Sequence, residues 1–479
     1  MHKMNFRDFG LDKEILKALE KLEYEMPTAV QQQVIPFVLE NRDIIVKSKT
    51  GSGKTASFAI PICEKIELEQ RNSQVLVLTP TRELAVQVKE DIAYIGRFKK
   101  IRCAAIFGKQ PIEMQKRELR QRVHVIVATP GRILDHMERK NVNLEEIKYL
   151  IIDEADEMLN MGFIDQVEAI IKTLPLNRAT MLFSATMPEK IEEICNQYMI
   201  DPKRIEVDSK DSTTEKIEQA YYEVEEHRKF NLINKIIYTE RPSRCIIFCN
   251  TREKVENIIR QMKNEKYSCR GLHGGMEQGE RLNTMQRFKR GQFDFLVATD
   301  VAARGIHIDD VTHVINYDIP VEKESYVHRI GRTGRAGNGG IAITFVSQGD
   351  VEMLNDIEEY IKHEIPKREK EAIQEGERIF EKQITHKAKG DRSDKINREI
   401  TKIRINAGKR KKMRPGDILG AISNMEGIIP KDIGIIDVQD TCSYVEIFGK
   451  KGDFVYEELQ STKIKGRIFT VKKVRFRSF

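Results

Sequence analysis

Asp43-Ile44-Ile45-Val46-Lys47-Ser48-Lys49-Thr50-Gly51-Ser52-Gly53-Lys54-Thr55 runs from a short apolar stretch through a glycine-rich turn into a helical pattern. Its last eight residues fit the phosphate-binding loop G-x-x-x-x-G-K-[ST], with Ser48 in the first glycine position. Glycines let backbone N–H groups curl around a phosphate, and a helix N-terminus favours the anion. Ser48, Lys49, Thr50, Gly51, Ser52 and Gly53 would form the cradle. Lys54 would reach the β- and γ-phosphates, and the Thr55 hydroxyl would ligate Mg²⁺. An ordinary Gly-Ser loop with a surface lysine shares the composition but not the order strand, loop, helix.

The same rhythm continues on both sides. Val75-Leu76-Val77-Leu78, Val123-His124-Val125-Ile126-Val127, Tyr149-Leu150-Ile151-Ile152 and Thr180-Met181-Leu182-Phe183 each precede a helical pattern. Such runs read as strands of a buried parallel sheet, and the βαβα order gives an α/β fold with ligands at the carboxyl ends of the strands. The rhythm then repeats. Leu78-Thr79-Pro80-Thr81-Arg82-Glu83 has a counterpart in Phe248-Cys249-Asn250-Thr251-Arg252-Glu253, and Val127-Ala128-Thr129 recurs as Val297-Ala298-Thr299. Both matches are offset by 170 residues, which predicts tandem α/β domains over residues 1–207 and 215–365 with a polar hinge near Asp208–Thr214. In residues 366–402, 19 of 37 are charged, so this segment reads as a solvated helical linker. A small α+β unit over 403–479 follows. Its strands are expected at Lys402–Asn406, Ile433–Val438, Ser443–Phe448 and Ile468–Val474, with helical stretches at Pro415–Met425 and Phe454–Leu459. That βαββαβ order is the ferredoxin-like arrangement of RNA-recognition domains.

Two further constellations carry chemistry. Asp153-Glu154-Ala155-Asp156 ends the run Tyr149–Ile152. Asp153 there suits a second Mg²⁺ contact, and Glu154 could orient or deprotonate an attacking water. The second unit has no G-K-[ST] loop and carries His328-Arg329-Ile330-Gly331-Arg332-Thr333-Gly334-Arg335-Ala336-Gly337 instead. Arginines beside glycines can approach a phosphate and neutralise charge developing in phosphoryl transfer, which makes Arg332 and Arg335 finger candidates. His328 joins the catalytic candidates from this segment.

Composition narrows the class. Seven scattered cysteines without a CxxC pair argue against a disulfide framework or a zinc site. The first residues lack the apolar region of a secretory signal, and no apolar run approaches the roughly 18 residues of a membrane span, so a cytoplasmic protein is expected. The net charge is +7, and residues 401–479 hold 17 Lys+Arg against 9 Asp+Glu. The excess positive charge therefore sits in the tail, which points either to a polyanionic partner or to a basic solvated surface.

Gln31, Ser48–Thr55, Pro80-Thr81-Arg82-Glu83-Leu84, Thr129-Pro130-Gly131-Arg132, Asp153–Asp156, Ser184-Ala185-Thr186, Ala302-Ala303-Arg304-Gly305 and His328–Gly337 together resemble the motif series of the DEAD-box RNA helicases, in the family's order over residues 5–365. The resemblance implies two RecA-like P-loop NTPase domains closing over ATP, Mg²⁺ and RNA. It implies that Gln31 reads adenine with Tyr24 stacking on it, and that Ser184 and Thr186 couple hydrolysis to domain movement. It also implies that Thr81, Arg82, Thr129, Gly131, Arg132, Thr251, Gly274 and Thr299 hold the RNA backbone. Three positions depart from the pattern. Lys21-Leu22-Glu23-Tyr24 lacks a glycine, Gly108-Lys109 replaces a Gly-Gly pair, and Ala303-Arg304-Gly305-Ile306-His307 ends in histidine where the family has the aspartate that touches the ribose.

The tail resembles the RNA-binding domain of the bacterial DbpA-type subfamily, which implies recruitment to large-subunit ribosomal RNA during ribosome assembly. Its first strand, Lys402-Ile403-Arg404-Ile405-Asn406, has no aromatic residue, and its third offers only Tyr444. Stacking on the sheet is thus expected to be weak, and Lys409, Arg410, Lys411 and Lys412, with the final Lys472–Arg477, are the expected RNA contacts. The expected activity is RNA-stimulated ATP hydrolysis that locally unwinds RNA, by a monomer. An ATP-gated clamp that acts by binding is the rival.

Overall fold

The computed structural model describes residues 4–48, 52–207, 217–303, 311–334, 339–369 and 392–474. Strands β1 (Ile44–Lys47), β2 (Val75–Leu78), β3 (Cys103–Ile106), β4 (Val125–Ala128), β5 (Tyr149–Ile152), β6 (Ala179–Ser184) and β7 (Lys203–Glu206) form one sheet in the order β3-β4-β2-β5-β6-β1-β7. Every pairing in it is parallel. Successive side chains point to opposite faces, and both faces are covered by helices. Val75 and Val77 therefore join one hydrophobic core while Leu76 and Leu78 join the other.

A second parallel sheet comprises β8 (Ile217–Glu223), β9 (Cys245–Phe248), β10 (Cys269–Leu272), β11 (Phe295–Ala298), β12 (His313–Asn316) and β13 (Gly340–Val346), ordered β10-β11-β9-β12-β13-β8. This is the order of the first sheet without its last edge strand. β2 and β9 occupy equivalent places, as the 170-residue offset requires. Each feeds a helix capped by a threonine: Thr81 Oγ1 accepts from the Leu84 N–H at 3.2 Å, and Thr251 Oγ1 from the Lys254 N–H at 3.2 Å.

The third sheet is antiparallel. Strands β14 (Ile400–Ile405), β15 (Ile433–Val438), β16 (Ser443–Phe448) and β17 (Val471–Val474) lie in the order β15-β16-β14-β17. Helices Pro415–Ser423 and Gly452–Glu458 cover one face, and Ile403, Ile405, Val445 and Ile447 form the core beneath them.

Three sequence expectations need correction. Within residues 366–402 the described residues belong to the flanking units: the Arg368 N–H bonds the Tyr221 carbonyl (2.9 Å), and a helix begins at Arg392. Helix Arg392–Arg398 rests on helix Lys13–Lys21, with Ile396 fully buried in the first unit's core, and Ile400 begins the tail sheet. Secondly, β3 and β7 of the first sheet escaped the sequence reading, which also gave no runs for β8, β10, β12 and β13 of the second. Cys103-Ala104-Ala105-Ile106 is half small residues, and β7 buries only Ile205. Finally, the last strand starts at Val471 rather than Ile468. The hinge Asp208–Thr214 lies outside the described residues.

Candidate nucleotide site and RNA interface

Every described site residue proposed in the two parallel sheets sits at or just beyond a strand's carboxyl end, or on or just after the helix that follows it, apart from Tyr24 and Gln31. In the first unit the loop after β1, the carboxylates after β5 and Ser184–Thr186 after β6 gather on one half of the sheet. Thr81 after β2 and Thr129 after β4 occupy the other half. The second unit repeats the division. Thr251, Gly274 and Thr299 follow β9, β10 and β11, whereas His328 and Arg332 follow β12 on and after helix Lys323–Ile330.

Gly53 opens helix Lys54–Lys65 at a φ of 91°, and a Cβ there would come within 2.7 Å of Gln31 Nε2. Both the left-handed backbone and the close approach require glycine. Gln31 Nε2 donates to the Gly53 carbonyl at 3.4 Å, and the Thr28 hydroxyl donates to the Ser52 carbonyl at 3.0 Å. Thr28 and Gln31 also form the capping box of helix Ala29–Leu39. The adenine candidate is therefore tied directly to the phosphate loop. Tyr24 packs edge-on against Phe6, with ring centroids 6.0 Å apart. Lys54 is buried, its Nζ donating to the Ser48 carbonyl at 2.9 Å. Lys49, Thr50 and Gly51 lie outside the described residues.

Asp153 is 3 % exposed, and its Oδ1 has no hydrogen-bond partner. Burial, reinforced by the adjacent Glu154, raises its pKa above the usual carboxylate range, while Lys54 pulls it down. An orphaned carboxylate oxygen beside a lysine fits a hard cation with oxygen ligands. Glu154 takes φ 55°, turning the chain sharply from β5 into helix Ala155–Asn160. Asp156 is a residue the sequence did not single out individually. Its Oδ2 accepts from Ala185 N–H (3.0 Å), Thr186 N–H (2.9 Å) and the Thr186 hydroxyl (3.1 Å), and its own N–H donates to Ser184 Oγ (3.2 Å). The acidic turn and the Ser-Ala-Thr turn are thus one hydrogen-bonded body.

In the arginine-rich segment the structure separates roles that the sequence could not. Arg329 is 1 % exposed and its guanidinium is fully engaged. It reaches both Asp300 carboxylate oxygens (2.5 and 2.6 Å), the Asp318 carbonyl (2.6 Å), Asn250 Oδ1 (2.8 Å) and Asn316 Oδ1 (3.4 Å). Arg332 is buried, with Nε donating to the His328 carbonyl at 3.0 Å. His328 Nδ1 lies 3.8 Å from Glu157 across the interdomain cleft. Arg335, Arg304 and His307 lie outside the described residues.

On the other half of the cleft, Arg82 donates to Gln278 Oε1 at 3.1 Å, and Gln278 Nε2 donates to Glu83 at 2.9 Å. Arg281 stands 3.1 Å from Glu83. The two units face each other through these pairs, whose second-domain members carried no sequence motif. Arg132 is braced by the Gln110 carbonyl (2.9 Å) and Gln115 Oε1 (3.0 Å). Gly131, Thr251 and Gly274 are exposed, and Thr129 and Thr299 are half-buried. In the tail, Lys409, Arg410, Lys411 and Lys412 are all exposed on one turn.

Comparison with known proteins supplies the class. The family model for the DEAD/DEAH box helicase matches residues 28–194, the helicase conserved C-terminal domain matches 228–337, and the DbpA RNA binding domain matches 402–473. The chain belongs to the DEAD/DEAH box helicases. It is 51 % identical to the ATP-dependent RNA helicase DbpA of Bacillus subtilis (strain 168), over 98 % of this chain and 99 % of that protein. It is 44 % identical to the DEAD-box ATP-dependent RNA helicase CshA of Geobacillus kaustophilus (strain HTA426), over 77 % of this chain and 79 % of that one. Among solved structures, S. cerevisiae Dbp5 bound to RNA and ADP BeF3 superposes with a TM-score of 0.70 at 32 % identity, covering 76 % of this chain and 96 % of that one. Mss116p bound to ssRNA and AMP-PNP gives 0.69 at 30 % identity, covering 76 % and 78 %.

Proposed function

We propose that this ATP-dependent RNA helicase hydrolyses ATP between its two RecA-like units and uses their closure to open structured ribosomal RNA locally, during assembly of the large ribosomal subunit. Tyr24 and Gln31 hold adenine, and the loop Ser48–Thr55 holds the phosphates, with Lys54 as the cation. Thr55 and Asp153 would hold Mg²⁺, which would neutralise phosphate charge when bound. Glu154 orients the attacking water and takes its proton as the bond between the β–γ bridging oxygen and the γ-phosphorus breaks, giving ADP and inorganic phosphate. Arg332 and Arg335 offset the charge that develops on the transferred group, and His328 lies against Glu157. Asp156, bonded to Ser184 and Thr186, passes the change to the RNA half of the cleft, where Thr81, Arg82, Thr129, Gly131, Arg132, Thr251, Gly274 and Thr299 grip the backbone.

The observation that carries this reading is the buried, unbonded Asp153 Oδ1 next to Lys54 and one residue from Glu154. The match of residues 402–473 to a DbpA RNA binding domain supports recruitment by the tail, and the exposed Lys409–Lys412 turn supplies the phosphate-binding charge. Residues 1–207, 215–365 and 403–479 act as the two motor units and the recruiting unit. The protein works as a cytoplasmic monomer. All seven cysteines are unpaired, and among the described residues no helix is long and apolar enough to cross a membrane. ATPase stimulation by intact ribosomal RNA, compared with another RNA of equal length, tests the recruitment. Stronger stimulation by ribosomal RNA is expected, and equal stimulation overturns it.

A further inference from the structure

The sheet of the tail has two faces. Ile403, Ile405, Val445 and Ile447 point inward to its own core, so the alternate residues Lys402, Arg404, Tyr444, Glu446 and Phe448 share the outer face. One end of that face is covered by the first RecA-like unit. Ile396, Ile400 and Phe448 belong to that unit's hydrophobic core, not to the tail's. Phe448 meets Phe98 edge-on with centroids 5.4 Å apart, and Lys17 sits 4.2 Å over the Phe98 ring.

Charge makes this contact specific. Arg97 pairs with Glu446 at 2.8 Å, their side chains only 12 % and 5 % exposed. Lys402 and Arg102 stand near the same carboxylate. Glu446 Oε2 is buried without a hydrogen-bond partner, and burial outweighs these cations and raises the carboxyl's pKa. Arg102 also donates to the Ile436 carbonyl, and Lys100 to the Pro430 carbonyl at 3.0 Å. Arg97, Lys100 and Arg102 come from one turn of the first unit, and their partners come from β15, β16 and the turn before β15.

A second set of contacts reaches the nucleotide site. Glu399 pairs with Lys21 at 2.5 Å, and Lys395 pairs with Glu23. Lys21 and Glu23 immediately precede Tyr24, and Thr28 and Gln31 follow on the same short segment. The tail's lead-in helix therefore braces the residues that present adenine.

We propose that the outer sheet face of the tail is a dock for the first RecA-like unit, keyed by Arg97 and Glu446, and that this dock couples RNA held by the tail to the adenine-binding segment. The coupling half rests on the nucleotide reading above; the docking half does not. A sheet face already occupied at one end by protein cannot lie flat beneath a row of bases. By linkage, a tail held in the dock favours nucleotide binding, and bound nucleotide favours the dock.

The test uses the full chain in four forms: wild type, Arg97→Glu, Glu446→Arg and the double exchange. Small-angle X-ray scattering reads tail placement, and titration with fluorescent mant-ADP reads the adenine site. Each single reversal leaves a buried charge facing its like, which shifts the docking equilibrium by about 100-fold or more. The radius of gyration should rise, mant-ADP should bind about fivefold more weakly, and the double exchange should restore both in part, since an arginine at 446 still meets Lys402 and Arg102. Lys21→Glu with Glu399→Lys provides a second, half-exposed pair that leaves either core intact. Single reversals that scatter as wild type does overturn the dock. Changed scattering with unchanged mant-ADP affinity overturns the coupling. A wild-type chain that binds no mant-ADP refutes the nucleotide reading and leaves the scattering result standing.

Discussion

Replacing Arg329 by alanine should lower the unfolding temperature of the second RecA-like unit by about 10 °C. The side chain is 1 % exposed, makes five hydrogen bonds to four residues, and lies 5.3 Å over the Phe248 ring. Its removal strands the Asp300 carboxylate and three buried or half-buried polar groups. Breaking one side of a buried ion pair costs about 3–5 kcal/mol, and a value near 4 suits a partner, Asp300, whose side chain is 24 % exposed. In a unit of some 150 residues, each kcal/mol moves the midpoint by about 2–4 °C. Differential scanning calorimetry of the full chain reads the shift directly. Arg329→Lys should recover less than half of it, because one ammonium cannot reproduce a planar fork that reaches five acceptor atoms on four residues. A shift below about 3 °C, or full rescue by lysine, would refute the account of Arg329 as the clasp of this unit.

Three further outcomes are expected. Lys54→Ala should abolish ATP turnover and weaken ATP at least tenfold in an equilibrium titration, since the proposed function makes this buried ammonium the cation for the phosphates. Acid should destabilise the first unit through His124, whose pKa is lowered to about 4 by burial, with Arg102 and Arg122 adding to the effect. The unfolded chain takes up that proton first, so this contribution of about 3 kcal/mol is fully present above about pH 6.5 and is lost as the pH falls toward 4. His124→Asn should flatten that limb of a denaturation-against-pH curve while still accepting the Arg102 N–H. Neutralising Lys409, Arg410, Lys411 and Lys412 should reduce the slope of log affinity against log salt by about three in RNA-binding titrations, and an unchanged slope would place the phosphate contacts elsewhere.

Five strands of the first parallel sheet were legible because buried strands read as continuous β-branched runs, and the second sheet was legible only through the recurrence of Thr81-Arg82 as Thr251-Arg252 and of Val127-Ala128-Thr129 as Val297-Ala298-Thr299. The half of the cleft to which we assign the nucleotide drew attention in the sequence for a similar reason, since the loop and the acidic turn each place particular residues at particular spacings. The opposite holds for contacts between units. Gln278, Arg281 and Glu83 look like ordinary helix-surface residues, and nothing in their spacing shows that they meet across the cleft. Ser443-Tyr444-Val445-Glu446-Ile447-Phe448 alternates as a half-solvated strand should, so Glu446 reads as exposed. Only the docked unit explains its burial. Arg97, Lys99, Lys100 and Arg102 likewise look like a solvated basic turn, although Arg97 and Arg102 are engaged with the tail. Arg329 and Arg332 share one motif and one composition, yet burial gives the first a structural network of its own.

The most direct test of the central claim is multiple-turnover ATP hydrolysis by Glu154→Gln beside wild type, with saturating RNA and with nucleotide binding measured in parallel. Glutamine keeps the shape at the sharp turn after β5 but cannot take the water's proton. The variant should bind ATP and RNA as wild type does and turn over at least 100-fold more slowly, consistent with loss of a general base. Hydrolysis at the wild-type rate, with binding intact, would contradict a mechanism in which Glu154 activates water in this cleft.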